Sequence, residues 1–276
     1  MTNKPFSVAI SVYKNDNAEF FDIALQSITD NQTTTPSEIV LVVDGPVGED
    51  INSVIEKYSS KYEGLKVVRL SENGGLGNAL KIAVENCTNE LVARMDSDDI
   101  AVPDRFEAQL AQMEASDVDL CGGFITEFID EPSNVVSQRD VPLSDGDIKE
   151  YMKKRCPFNH MTVMFKKSKV MEVGNYQHWH YNEDYYLWIR MQEAGCKFAN
   201  TDKVLVNMRV GKEMYQRRGG WKYFKSEKAL QKYMKKHKLI GFGTYFMNVA
   251  KRFIVQVLLP NRLRGWVFKK FARKKV

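Results

Sequence analysis

Leu91-Val92-Ala93-Arg94-Met95-Asp96-Ser97-Asp98-Asp99 decides how the rest of the chain is read. A mostly apolar run ends at Met95, and three carboxylates follow at Asp96, Asp98 and Asp99. The pattern reads as a short buried strand with carboxylates at its carboxyl end. In an open α/β sheet that end faces the crevice where ligands bind. Carboxylates this close repel unless a positive charge lies between them. A divalent metal with oxygen ligands is the simplest such charge. The same residues also suit a solvated acidic turn capping the next helix, which starts near Pro103, because Asp and Ser are common turn formers. On this stretch alone both readings stand.

The segments on either side bear on the choice. Residues 6–13, 38–44 and 65–70 read as buried strands. Helical patterns lie between them, with Ala18, Phe21, Leu25 and Ile28 on one face of the first. Residues 51–62, 76–85 and 103–114 continue the helical series, and 119–129 is extended. Such β-α alternation predicts an α/β fold with a mainly parallel sheet flanked by helices. Beyond it the pattern is less regular. A helix is expected over 145–154, a strand over 161–165, a helix over 182–194 capped by Asn182, and a strand over 204–209. His178 and His180 flank Trp179 in what reads as a loop.

Composition sets the outer limits. A chain of 276 residues with 43% hydrophobic and 27% charged residues can bury a full core. No apolar run reaches the roughly 20 residues of a membrane span. Met1 to Pro5 leads directly into a strand and offers no leader sequence, and the four cysteines form no C-x-x-C pair. A reduced, cytoplasmic protein is expected. The net charge of +5 conceals a division: residues 228–276 hold 14 Lys and Arg and no acid, which leaves the first 227 residues at −9. Two segments are expected, 1–221 as the α/β domain and 222–276 as a basic helical C-terminal region.

Several strand ends carry polar residues suited to a nucleotide. Asp44 ends the second strand, and Asn73-Gly74-Gly75 follows the third. In a parallel sheet both lie on the edge that holds Asp96 and Asp98; either is also an ordinary turn former. The glycines do not make a dinucleotide fingerprint, because Leu80 stands at the third glycine position and the turn follows the third strand, not the first. Glu183-Asp184 opens a helix, where a capping role and a general base are both open.

Taken in order, Asp44, Glu72-Asn73-x-Gly75-Leu76, Met95-Asp96-Ser97-Asp98-Asp99, Asn159-His160 and Glu183-Asp184-x-x-x-Trp188 resemble a bacterial family 2 glycosyltransferase with the GT-A, Rossmann-like fold. The resemblance covers about residues 6–221 and is closest to enzymes that build capsule, exopolysaccharide or O-antigen repeats. It implies a D-x-D motif in Asp96-Ser97-Asp98. Asp98, with Asp96, would hold Mn²⁺ or Mg²⁺ against the donor diphosphate. Val12 and Tyr13 would cradle the nucleotide, Asp44 would read a uracil-type base, and Asn73 would stand beside it. Asp184, with Glu183, would be the catalytic base. His160 would lie near the donor phosphates or acceptor, and Arg209, Arg217 and Arg218 on a loop closing over the diphosphate.

The implied reaction is one inverting transfer from a nucleotide-sugar, a UDP-sugar in the simplest case, to a polyprenyl-diphosphate-linked saccharide. The processive Q-x-x-R-W signature is absent: Gln216-Arg217-Arg218-Gly219-Gly220-Trp221 has glycine before the tryptophan. A catalytically silent nucleotide-sugar-binding scaffold is the alternative, and the intact Glu183-Asp184 pair weighs against it.

In the basic region, residues 245–259 read as a helix with Phe246, Val249, Phe253 and Val257 on one side. Leu263, Trp266, Val267 and Phe271 then alternate with basic residues. Basic amphipathic helices of this kind lie on anionic membranes. Residues 243–276 are expected to hold the protein on the inner face of the cell membrane, unless they pack on the domain or form a homodimer. Nucleic-acid binding is not expected, because the acidic body opposes it.

Overall fold

The computed structural model describes residues 4–211, 219–260, 263–264 and 273–274. Its first half is the predicted alternation. Strands β1 (Phe6–Val12), β2 (Glu38–Val43), β3 (Leu65–Arg69) and β4 (Leu91–Met95) are separated by helices α1 (Ala18–Ile28), α2 (Glu49–Lys61) and α3 (Leu76–Asn86). These strands lie parallel in the order β3-β2-β1-β4. Val12 pairs with Val43 and Ile10 with Met95, so the carboxyl ends share one edge.

The alternation within each strand divides the core into two layers. Val8, Ile10, Leu41 and Val43 pack with Phe21, Leu25, Ile28, Ile51 and Ile55 of α1 and α2. Ala9, Val40 and Val42 face the other way, onto Ala79, Leu80, Ala83 and Val84 of α3. Burying one such aliphatic side chain contributes about 1.5–3 kcal/mol.

The second half adds strands in both directions. It contains β5 (Ile100–Ala101), α4 (Arg105–Ser116), β6 (Leu120–Phe128), β7 (Val135–Arg139), α5 (Asp145–Met152), β8 (Met164–Lys166), α6 (Lys167–Glu172), α7 (Glu183–Glu193) and β9 (Phe198–Arg209). The sheet continues from β4 through β8 and β6 to β9 and β5. β8 is antiparallel to both its neighbours, whereas β6 and β9 run parallel. The sheet is thus parallel over its first four strands and again between β6 and β9. The expected strand over 161–165 is shortened, because His160–Thr162 form a 3₁₀ turn. Thr162 Oγ1 donates to the Asn159 carbonyl at 2.8 Å, which favours the turn over a ladder.

Two helices close the described chain, α8 (Trp221–Lys236) and α9 (Phe242–Phe253). The helix expected over 245–259 is broken in type: α9 gives way to a π-helical turn at Ile254–Leu258. Leu230 and Met234 of α8 join the buried cluster that contains Trp188 and Ile189 of α7. Asn248 Nδ2 of α9 donates to the Lys153 carbonyl at 2.9 Å and to Gln231 Oε1 at 2.8 Å. Among the described residues no helix is long and apolar enough to cross a membrane.

Candidate active site

Parallel register brings Tyr13, Asp44, Asn73 and Asp96 to one sheet edge. Val12 is buried beneath them, and Tyr13 is 38% exposed. Asp44 is buried and accepts from Asn73 Nδ2 at 2.9 Å, Gly74 N at 2.7 Å and Gly75 N at 2.9 Å. Its carboxylate therefore builds the turn after β3. Gly45 permits the arrangement, since a Cβ there would lie 2.7 Å from Asn73 N. Gly77 performs a related service. Its bare face opens onto Glu183, whose Cβ would stand 3.4 Å from any Cβ placed there.

The acidic stretch after β4 separates into three roles. Asp96 is gripped by both terminal nitrogens of Arg94, a buried side chain two residues earlier on the strand. Asp98 has no ion-pair partner among the described residues and is exposed. Protein packed round its other side, with the charges of Asp96 and Asp16, pushes its pKa up to about 6. Asp99 is buried and accepts from Arg209 N at 2.9 Å. It ties this loop to β9 and does not cap α4, whose N-cap position is Asp104. Burial and the charges of Asp98 and Asp96 hold its pKa well above the usual carboxylate range.

Asp16 is a residue that the sequence reading missed. It accepts from Ser97 Oγ at 2.8 Å and from Tyr13 N at 3.1 Å. Burial raises its pKa, and the Asp96 charge adds to the effect. Arg94 was also missed, although its two-residue spacing from Asp96 in a strand puts both on one face. Among the described residues no three metal-ligating side chains converge. The donor set instead suits a metal held through one or two carboxylates and completed by phosphate oxygens, as Mg²⁺ commonly is. Asp98 fits that description, because its ionised form lacks a compensating cation. Asp96 would have to share its oxygens with Arg94.

Arg209 packs against the acidic stretch. It is the last residue of β9 and not part of a free loop. Its guanidinium lies 3.7 Å from the Phe20 ring centroid and 4.7 Å from that of Phe128. Its Nε donates to the Asp98 carbonyl at 3.3 Å and its Nη1 to the Asp130 carbonyl at 2.8 Å. Arg217 and Arg218 lie outside the described residues.

The second carboxylate pair opens α7. Asn182 occupies the N-cap position but makes no cap bond; its amide donates to Ser226 Oγ at 3.2 Å. Glu183 has its pKa pushed up to about 7, first by burial and then by Asp184. Arg94 lowers and Asp96 raises it, which places the two carboxylate sites within electrostatic reach. Asp184 has the thiol of Cys156 3.8 Å from Oδ2. His160 Nε2 lies 2.8 Å from the hydroxyl of buried Tyr176. Burial, with the nearby Arg94 charge, holds its imidazole well below its ordinary pKa, so it is neutral near pH 7. His178, Trp179 and His180 lie in the segment before α7, where Trp179 Nε1 donates to the Ser226 carbonyl at 3.2 Å. Asp184 and His160 line a cavity of about 490 Å³ that reaches α9.

The family model described as glycosyl transferase family 2 matches residues 7–174. The chain belongs to glycosyltransferase family 2. It is 40% identical to the amylovoran biosynthesis glycosyltransferase AmsE of Erwinia amylovora, over 96% of this chain and 98% of that one. It is 39% identical to the UDP-Gal:alpha-D-GlcNAc-diphosphoundecaprenol beta-1,3-galactosyltransferase of Escherichia coli, over 98% and 97%. The protein is therefore a glycosyltransferase.

Solved family neighbours carry the GT-A fold. S. aureus TarS in complex with UDP-GlcNAc superposes with a TM-score of 0.66 at 17% identity, over 91% of this chain and 72% of that one. The mannosyltransferase PcManGT of Pyrobaculum calidifontis, in complex with GDP-Man and Mn²⁺, gives 0.63 at 16% identity, over 98% and 76%. At these identities the likeness speaks for the fold.

Proposed function

We propose that this glycosyltransferase moves one sugar from a UDP-sugar to a saccharide carried on a polyprenyl diphosphate, with inversion, in the synthesis of a bacterial surface polysaccharide. The observation that carries the reading is the pairing of a cation-seeking carboxylate, Asp98, on one side with the Glu183-Asp184 pair on the other, joined through Arg94. Its relatives include a UDP-Gal-dependent enzyme acting on a diphosphoundecaprenol-linked sugar, which favours the same donor and acceptor classes.

Asp98, with Asp96, would hold Mn²⁺ or Mg²⁺, which when bound neutralises charge growing on the leaving diphosphate. Val12, Tyr13, Asp44 and Asn73 shape the nucleotide end. The side chain of Asp44 acts by fixing the turn, and Ser97 by joining Asp16 to the motif. Arg209, Arg217 and Arg218 are assigned to the diphosphate side. On the other side, Asp184 accepts the proton of the acceptor hydroxyl as its oxygen bonds to the anomeric carbon and the bond to the diphosphate oxygen breaks. Glu183 supports that base, and neutral His160 positions the acceptor. One displacement without a covalent intermediate inverts the anomeric centre.

The exposed face of α9 supports membrane contact. Phe242, Phe246 and Met247 are 67%, 61% and 52% exposed, and Ile254 and Leu258 continue the apolar row. With the basic residues of 243–276 this face suits an anionic bilayer, and in this reading residues 1–221 form the catalytic domain while 222–276 anchor it at the inner membrane face and complete one wall of the Asp184 cavity.

The test is transfer from UDP-sugars, with and without Mn²⁺, to a diphosphate-linked acceptor, and NMR assignment of the new anomeric centre. Product that retains the donor configuration would refute the single displacement. For the anchor, Phe242→Ser/Phe246→Ser should abolish sedimentation with anionic liposomes. Undiminished binding, or conversion of a dimer to a monomer, would assign the face to something other than lipid.

A further inference from the structure

The cavity that holds Asp184 contains none of Asp44, Asp96 and Asp98, so it is not the place where the donor's nucleotide and metal are expected. Its walls come from the end of β7, the segment 154–161, the start of α7, and helices α8 and α9. The wall is strongly cationic. Arg139, Lys154, Arg155 and Lys251 all line it, and none has a carboxylate partner among the described residues. Two further lining arginines are already matched, Arg252 by Glu227 and Arg273 by Glu127.

Arg139 is the telling member. Its Nη atoms donate to the Phe158 carbonyl at 3.3 Å, the Cys156 carbonyl at 2.8 Å and Asn159 Oδ1 at 2.9 Å, all uncharged acceptors. Its Nε is buried with no partner. Burial, then the like charges of Arg155 and Arg273, push this guanidinium down to about 10. A cation held against such opposition gains directly from an anion in the adjoining space. Lys154 and Lys251 are exposed at the cavity and free to turn toward that anion.

We propose that this cavity is the acceptor subsite, and that Lys154, Arg155 and Lys251 hold the acceptor's diphosphate beside Asp184, above the buried charge of Arg139. The inference rests on the glycosyl-transfer reading above and names the groups that recognise its second substrate. The cavity's volume of about 490 Å³ falls in the range of about 300–1,000 Å³ usual for small ligands. Tyr181 and Tyr223 line it too and offer ring faces to a sugar. The helix that supplies Lys251 also exposes Phe246 and Met247, so a lipid tail attached to the diphosphate finds an apolar surface on the same element.

The experiment is equilibrium binding without donor, so that it reads the subsite whether or not turnover occurs. The probes are N-acetylglucosamine joined through a diphosphate to an undecyl chain, and the matching undecyl glycoside without the diphosphate. The wild-type protein should prefer the diphosphate probe by about tenfold or more, as loss of a charged hydrogen bond would predict. Lys154→Ala/Arg155→Ala/Lys251→Ala should bring the ratio close to one. Lys251→Gln, at an exposed site that leaves the fold intact, should lower the ratio by itself. Equal binding of both probes by the wild type, or a preference kept in these variants, would overturn the subsite. So would variants that lose phosphatidylglycerol vesicles but keep the probe preference, which would give the cations to a phospholipid headgroup. Turnover is scored apart: a wild type that transfers no sugar refutes the reaction, while the binding ratio still decides the subsite.

Discussion

The proposed donor edge and the proposed acceptor side hold their carboxylates in opposite ways. At the donor edge almost every acid is committed. Asp44 is held by three donors of one turn, Asp96 by Arg94, Asp16 by Ser97, and Asp99 by the backbone of β9. Asp98 is exposed and has no ion-pair partner among the described residues. On the acceptor side Glu183 and Asp184 sit at a helix start, Glu183 raised by burial and Asp184 accepting from Tyr185 N at 2.6 Å with the Cys156 thiol beside it. The first arrangement is preset and rigid, as electrostatic stabilisation of a leaving group requires. The second holds the pKa of Glu183 up to about 7, in the range where a proton can be exchanged.

The largest effect that tests this contrast is at the base. Asp184→Asn should lower kcat about 10²–10⁴-fold while leaving the melting temperature near that of the wild type; normal turnover would remove Asp184 from proton transfer. Next comes the rigid side. Arg94→Ala leaves half-buried Asp96 without its counter-charge, and should cost about 2–3 kcal/mol in chemical denaturation. Adding Asp96→Asn should recover most of that loss, and a double variant no more stable than the single would contradict the pairing.

Asp44→Ala should cost about 2 kcal/mol, because the N–H groups of Gly74 and Gly75 lose their acceptor, and should weaken UDP binding. A loss of stability with unchanged UDP affinity would confine Asp44 to the turn. The smallest effect concerns Asp98. Its folded pKa of about 6 lies above the unfolded value of about 3.9, so its ionised form opposes folding. Asp98→Asn should therefore stabilise the metal-free protein at pH 8, on the order of 1 kcal/mol given the open side of the carboxylate. The gain should fade as pH falls through 6 and vanish below about 4, where Asp98 is protonated in both states. Thermal melts across that range decide it; a gain that grows toward low pH has the wrong sign.

The same contrast explains what could be read from the sequence. The donor edge is a product of local periodicity. Buried runs ending at Asp44 and Met95 fix the register, and the register brings their carboxyl ends together. The acceptor side is assembled over long distances. Arg252 reaches the Lys154 carbonyl 98 residues away, and Asn248 the Lys153 carbonyl 95 residues away. No local pattern announces such contacts, so Arg139, Lys154, Arg155 and Lys251 went unread. Arg94 lay in plain view, as a charge inside a buried strand two residues before an acid. Asp16 offered no signal beyond a polar turn.

Arg94 carries one further consequence. It stands close enough to Asp96 to grip it, and its charge still acidifies Glu183 across the site. A single positive charge is thus divided between the two carboxylate sites. Whatever draws Asp96 away from Arg94 frees more of that charge for Glu183, and by reciprocity the proton on Glu183 reports on donor occupancy. Proton uptake on adding UDP, compared between the wild type and Asp96→Asn, would measure that coupling.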